Sequence, residues 1–176
     1  RAADDTQGRV TFNGVKLSLF DVSDVANPRE TAKYEIGSRG TDSEALRDHK
    51  AFLFSKAKNL LVLPVLLVEG NRQDYWQPSW QGAYVFNLDT ENGFTLKGRV
   101  THADGVSDKE QYYYYYGPYS ITRSLYMDDT LYTISQSSIK ANNLEDLEEV
   151  SKVKLPGIQP YYIQGVVWGA IEPVIS

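Results

Sequence analysis

The stretch Val15–Leu67 opens with VKLSLFDVSDVANPRETAKYEIG, passes through a polar linker, and resumes at His49 as HKAFLFSKAKNLLVLPVLL. Its apolar runs have strand length, and clusters of Asp, Ser, Asn, Pro and Gly separate them. In Val15–Val22, residues Val15, Leu17 and Leu19 make one face apolar, while Phe20 and Val22 extend this to the other. Both faces of this strand are therefore expected to be covered. Asp21, Ser23, Asp24, Asn27 and Pro28 supply a turn, and Thr31–Ile36 returns as a more polar, outer strand. Just upstream, Asn13-Gly14 reads as a hairpin turn joining Arg9–Phe12 to Val15–Val22. Ser38–Asp48 is the one helical piece, one or two turns capped near Asp42 or Ser43. Ala51–Phe54 reads as a short strand, Ser55–Lys58 as a tight turn and Asn59–Val68 as a fully buried strand. Pro64 cannot donate to a ladder, so it reads as a bulge or a strand end.

The same grammar returns twice. Ala51–Phe54, Asn59–Val68, Ala83–Leu88 and Phe94–Val100 form one four-strand unit. Ser124–Met127, Thr130–Ser135, Ser138–Ala141 and Glu149–Leu155 form the next. Val15–Val22 and Thr31–Ile36 are the last two strands of an earlier unit. Asp21–Val25 (DVSDV) aligns with Asn143–Leu147 (NLEDL), and Asn87-Leu88-Asp89 partly matches both. The intervals exceed a plain propeller blade of roughly 40–50 residues because two long loops are inserted. The fold expected is all-β: antiparallel four-stranded blades of a β-propeller, incomplete at about two and a half blades. The chain divides into a frayed start (1–8), a partial blade (9–37), two blades (49–101 and 122–156) and an apolar tail (157–176). An open arc of blades would leave apolar faces at both ends. The tail residues Tyr161–Ile175, the remainder of a propeller or a second copy of the chain would have to cover them. The start at Arg1 without Met fits a processed product or an excised piece.

With the residues Phe20–Asp24, Asn27-Pro28, Ser43–Ala45 and Asp48–Phe52 at its centre, the chain resembles a family of secreted proteins. These carry a C-terminal β-propeller distantly related to WD repeats and occur mainly in archaea. The likeness covers roughly Val15–Leu155. It implies a propeller fold and an extracellular or cell-surface location, and it supplies no catalytic residues.

A composition 41% hydrophobic and 23% charged is that of a globular chain, with 176 residues to build a core. The net charge of -5 and the lack of a basic run exclude an electrostatic nucleic-acid footprint. The longest apolar run is about half of what a membrane span requires. Without cysteine there is neither a disulfide nor thiol chemistry. No nucleophile elbow, phosphate loop, dinucleotide fingerprint or zinc-protease motif occurs.

Chemistry therefore has few places to sit. His49 precedes an inner strand, where a structural hydrogen bond is expected. His102 opens a loop with Asp104, Asp108 and Glu110, a set of hard ligands suited to Ca²⁺ or Zn²⁺ but spaced like neither an EF-hand nor a zinc motif. A solvated acidic loop without a cofactor is the plainer reading. The aromatic residues say more. Strands in a blade alternate direction, so every long insertion (Ser38–Asp48, Glu69–Gln81, Thr101–Ser120) emerges at one end. That end gathers Tyr75, Trp76, Trp80, Tyr112, Tyr113, Tyr114, Tyr115, Tyr116 and Tyr119, rings suited to protein or carbohydrate contacts unless they fold back as a lid. The function expected is a non-enzymatic, extracytoplasmic binding or scaffolding module. The alternative is a hydrolase or lyase with a site near the propeller axis, metal-assisted through His102 and its acidic neighbours.

Overall fold

The structure is a computed structural model and describes residues 2–5, 10–70, 78–104, 115 and 117–156. The described strands form two four-stranded and two two-stranded sheets, all antiparallel. β1 (Ala2–Asp5) pairs with β2 (Val10–Asn13), and β3 (Val15–Asp21) with β4 (Arg29–Ile36). Blade two runs β5 (Leu53–Ser55), β6 (Leu60–Leu67), β7 (Trp80–Asp89) and β8 (Gly93–Val100) in spatial order. Blade three runs β9 (Arg123–Met127), β10 (Thr130–Ile134), β11 (Ser138–Asn143) and β12 (Glu149–Lys154). Within each sheet chain neighbours are space neighbours, as short connections favour.

Blade two is the centre of the arc because both of its faces are apolar. On one face Leu61, Leu63, Val65, Leu67, Tyr84 and Phe86 pack against Val15, Leu17 and Ile36 of the β3–β4 sheet. On the other, Leu60, Val62, Ala83, Val85 and Val100 pack against Ile121, Leu131 and Leu144 of blade three and its approach. The period-two alternation of β6 thus feeds two cores from one strand. The first core is rich in rings: Phe86 meets Tyr34 edge-on at 4.8 Å and Phe94 at 6.4 Å.

Several expectations change. Asn13-Gly14 is not a hairpin turn, since β2 pairs with β1 and β3 with β4. Only Gly14 separates β2 from β3, and a hairpin needs about two loop residues to reverse the chain. Gly14 has φ +75, and a Cβ there would lie 2.5 Å from the Ile36 carbonyl oxygen, so only glycine fits. The strand Val15–Val22 is not covered on both faces: Phe20 is 52% and Val22 62% exposed. The register shift between Leu19 and Phe20 ends the regular alternation there.

The helical piece is a 3-10 turn, Glu44–Leu46, whose Ser43 side chain accepts from the Ala45 N–H. A second 3-10 turn, His49–Ala51, is capped by Asp48 and takes the place of the first half of the expected strand Ala51–Phe54. Pro64 is neither a bulge nor a strand end; it lies inside β6 opposite Ala83. Leu66 spends its N–H and C=O on Asp42, so Pro64, two residues earlier, turns its backbone to the same edge. The ladder to β5 has already ended at Val62. The missing N–H therefore faces a gap, and the Pro64 carbonyl accepts from Ser43 Oγ at 2.5 Å.

Candidate functional site at the loop-bearing end

The connections between the second and third strands of a blade, and from the last strand of one blade to the first of the next, leave the blades at one end, and hydrogen bonds tie their roots together there. Ser38 donates from N–H and Oγ to the Val68 carbonyl at 2.8 and 2.9 Å. Thr41 Oγ1 donates to that carbonyl and accepts from the Val68 N–H at 2.9 Å. Ser79 N–H donates to the Leu67 carbonyl at 2.8 Å, and Tyr115 hydroxyl donates to the Ser79 carbonyl at 3.0 Å. Gln81 joins blade two to the approach of blade three: Nε2 donates to the Ile121 carbonyl and Oε1 accepts from its N–H. These bonds hold the described parts of three insertions around the ends of β6 and β7.

Between them opens a cleft of about 270 Å³, lined among others by Asp42, Arg47, Gln81, Tyr115, Ser120 and Gln136. Its charge is organised on one side, where Arg47 reaches Asp42 at 2.6 Å and Glu44 at 3.3 Å. These carboxylates hold the Arg47 guanidinium above its ordinary pKa. A larger cleft of about 500 Å³ lies at the opposite, turn-bearing end, lined by Lys58, Asn59, Asn87, Lys97, Asp129 and Asn143 among others. We place the candidate site at the smaller one because residues of the insertions 38–48 and 101–120 line it together with Gln81 of β7, whereas the larger is bordered by strand ends and short turns.

The aromatic residues expected at this end divide. Tyr75, Trp76, Tyr112, Tyr113, Tyr114 and Tyr116 lie outside the described residues, as do Asp108 and Glu110. Trp80 belongs to strand β7, not to a loop; it meets Tyr84 edge-on at 5.4 Å, and the Arg99 guanidinium stacks over it at 4.9 Å. Tyr115 is 5% exposed and lines the cleft from beneath. Tyr119 is half-buried.

Among the described residues His102 is held by hydroxyl groups, and Asp108 and Glu110 of the expected metal set lie outside those residues. His102 is 3% exposed, with Nδ1 at 2.9 Å from Ser135 Oγ and 3.0 Å from Ser138 Oγ, and Nε2 at 2.9 Å from Thr133 Oγ1. Burial, reinforced by the positive charges of Lys140 and Lys152, lowers its pKa to about 4. Asp104 is ion-paired with the buried Lys140, which also holds Glu149 at 2.9 Å. Burial works against the Lys140 charge, but the two carboxylates outweigh it and raise its pKa. Among the described residues no group of three His, Asp or Glu side chains could hold a metal ion. Ser135, Ser138 and Thr133 are each 2% exposed or less, so this histidine–hydroxyl set offers no nucleophile that a substrate can reach. It is a buried polar pin between the connector and blade three. A sequence signal for it existed: Thr133, Ser135 and Lys140 occupy positions where the preceding blade carries Leu63, Val65 and Tyr84.

His49 is exposed at the start of its 3-10 turn, and the polar link between blades at that level is Asp48 with Arg123 at 2.6 Å. Arg123, first, and the Lys50 N–H lower the Asp48 pKa to about 2. Ser55 with Tyr126 and Lys58 with Asp129, each at 2.9 Å, continue this stitching down the inner strands.

A family model described as a beta propeller domain matches residues 2–147. An uncharacterized protein of Methanocaldococcus jannaschii is 26% identical over 147 residues, covering 84% of this chain and 18% of the relative. An uncharacterized protein of Archaeoglobus fulgidus is 28% identical over 141 residues, covering 80% and 17%. The chain thus spans less than a fifth of the length of these curated relatives. No solved structure matches.

Proposed function

This chain belongs to the beta propeller domain family, and on that premise we propose that it is a non-enzymatic binding or scaffolding module whose recognition surface is the loop-bearing end. The observation that carries this reading is the meeting of two insertions, 38–48 and 101–120, with Gln81 of β7 at a single cleft, beside loop roots anchored by the Ser38, Ser79 and Gln81 hydrogen bonds. Rigidly rooted loops present side chains at a low entropic cost of ordering, which favours recognition. The chemistry on offer among the described residues is polar with one ring: the Asp42–Arg47 pair, Ser120, Gln136 and Tyr115. That combination suits a protein strand or a carbohydrate. An extracytoplasmic location belongs to the same reading and rests on the family resemblance of the sequence.

Hydrogen exchange locates the surface once a ligand is found by glycan array or by cross-linking to cell-envelope extracts. Protection of 38–47 and 117–122 on binding supports the assignment. Protection confined to Lys58, Asp129 and 143–145 overturns it in favour of the turn-bearing end.

A further inference from the structure

The last two strands of all three units carry the same irregularity at the same place. The ladder slips by one residue between Leu19 and Phe20, between Val85 and Phe86, and between Ala141 and Asn142. Each slip leaves one outer-strand residue unpaired: Thr31, Lys97 and Val150. Phe20, Phe86 and Asn142 are therefore equivalent, and so are Val22, Leu88 and Leu144. In blades two and three these positions are buried against the sheet that comes before. Phe86 is 0% exposed in the core shared with β3–β4, and Leu88 packs against that core. Asn142 is 3% and Leu144 9% exposed, with Leu144 in the core shared with blade two. In the first unit Phe20 is 52% and Val22 62% exposed, on the face opposite Val15 and Leu17. The turn that follows repeats the contrast. Leu147 packs against the second core, and its Cδ1 lies 2.7 Å from where a Cβ on Gly98 would stand, so that glycine is its socket. Val25, its counterpart in the aligned turn, is 87% exposed. Its turn is nonetheless fully built: Asp21 Oδ1 accepts from the Ser23 N–H at 2.9 Å and Asp24 Oδ1 from the Ala26 N–H at 3.0 Å.

We infer that Phe20, Val22 and Val25 form the docking face for a further sheet of this same repeat, borne by the same polypeptide outside residues 1–176. The junction of blades two and three shows what that sheet offers. Its second and third strands present alternating aliphatic residues, as Leu60, Val62, Ala83 and Val85 do, and its outer strand has a small residue where Gly98 stands. The charges beside the patch are compatible with a junction. Lys16 pairs with Glu30 at 2.6 Å on this face, while Lys140 pairs with Glu149 at 2.9 Å on the same face of blade three, where the lysine is buried. Glu30 and Glu149 hold equivalent places, opposite Phe20 and Asn142. This chain spans less than a fifth of each curated relative, so a polypeptide of that length has room for another such sheet. Covering three exposed apolar side chains removes them from water, and linkage within one chain favours that sheet over a second molecule. The apolar segment Tyr161–Ile175, expected to cover an open face, lies outside the described residues.

Val25→p-benzoylphenylalanine puts a photo-cross-linker on this face at an exposed position, in the polypeptide as its own gene encodes it. Irradiation and peptide mass spectrometry are expected to give an intramolecular cross-link from position 25 to a strand outside residues 1–176. A cross-link to residues 1–176 of a second copy makes that copy the occupant and overturns the inference. Cross-links within residues 1–176 of one molecule, or none at all, overturn it too. In the unsubstituted polypeptide, hydroxyl-radical footprinting is expected to find Phe20 as protected as Phe86, and oxidation of Phe20 well above that of Phe86 counts against the docking face.

Discussion

The carboxamide of Gln81 closes two hydrogen bonds with the backbone of a single residue, Ile121: Nε2 to the carbonyl at 2.9 Å and Oε1 from the N–H at 3.0 Å. The side chain acts as a rung of ladder between blade two and the segment entering blade three, in a place where no strand can run. Both residues are buried, at 6% and 1% exposure. Replacing Gln81 with Met keeps the volume and orphans two backbone groups, each costing about 1–3 kcal/mol. Urea unfolding of Gln81→Met is expected to show a lowered midpoint; an unchanged midpoint would mean that water satisfies Ile121.

Phe86 is 0% exposed and at the centre of the ring cluster with Tyr34, Tyr84 and Phe94. Phe86→Ala is expected to cost about 3–5 kcal/mol, and Leu61→Ala about 2–5 kcal/mol. Chemical denaturation with an unaltered slope would read both values.

Trp80 and Trp76 should part company. Trp80 packs on the first core beneath Arg99, so Trp80→Ala is expected to lower stability by about 0.5–3 kcal/mol. Trp76→Ala is expected to leave the melting temperature in place and to weaken ligand binding. Calorimetric scans of the two variants distinguish them, and equal losses of stability would remove Trp76 from the recognition surface.

His102 gives the pH dependence a sign. Its pKa falls from 6.5 to about 4 on folding, chiefly through burial. Above 6.5 neither state holds the proton. As pH falls from 6.5 towards 4, the unfolded chain takes it up and the folded chain does not, so stability is lost in that window by roughly 3 kcal/mol. Asp48, depressed from 3.8 to about 2, acts in a separate window at lower pH. The difference between urea midpoints at pH 7 and pH 4.5 should shrink in His102→Gln. A wild-type protein with a flat profile from 7 to 4.5 would contradict the burial of this ring.

Much of the fold was legible because strand, turn and repeat signals agree. The DVSDV and NLEDL turns mark one and the same place in the first and third units, and the double-faced apolar pattern of Leu60–Leu67 announces a sheet buried on both sides. The local departures have local causes. Asn13-Gly14 carries the right residues for a hairpin but joins two sheets, since pairing partners are chosen by the whole chain. Phe20 and Val22 follow the alternation in sequence, while a one-residue register shift removes them from the core. The site was legible only in outline. Which end bears the insertions follows from strand parity, but the Gln81–Ile121 and Asp48–Arg123 links span 40 and 75 residues and leave no periodic trace.

Pro64 has a consequence for the chain before it folds. Without it, Leu60–Val68 would be nine consecutive residues with no charge and strong strand preference, the composition that seeds intermolecular stacking in about six- or seven-residue windows. The proline divides them into Leu60–Leu63 and Val65–Val68, each too short to nucleate alone. In the native sheet its ring occupies the gap between the end of β5 and the Asp42 bridge, where its missing donor orphans nothing. During synthesis, when β6 has emerged and β7 has not, the same missing donor keeps the stickiest segment of the molecule from templating its copies.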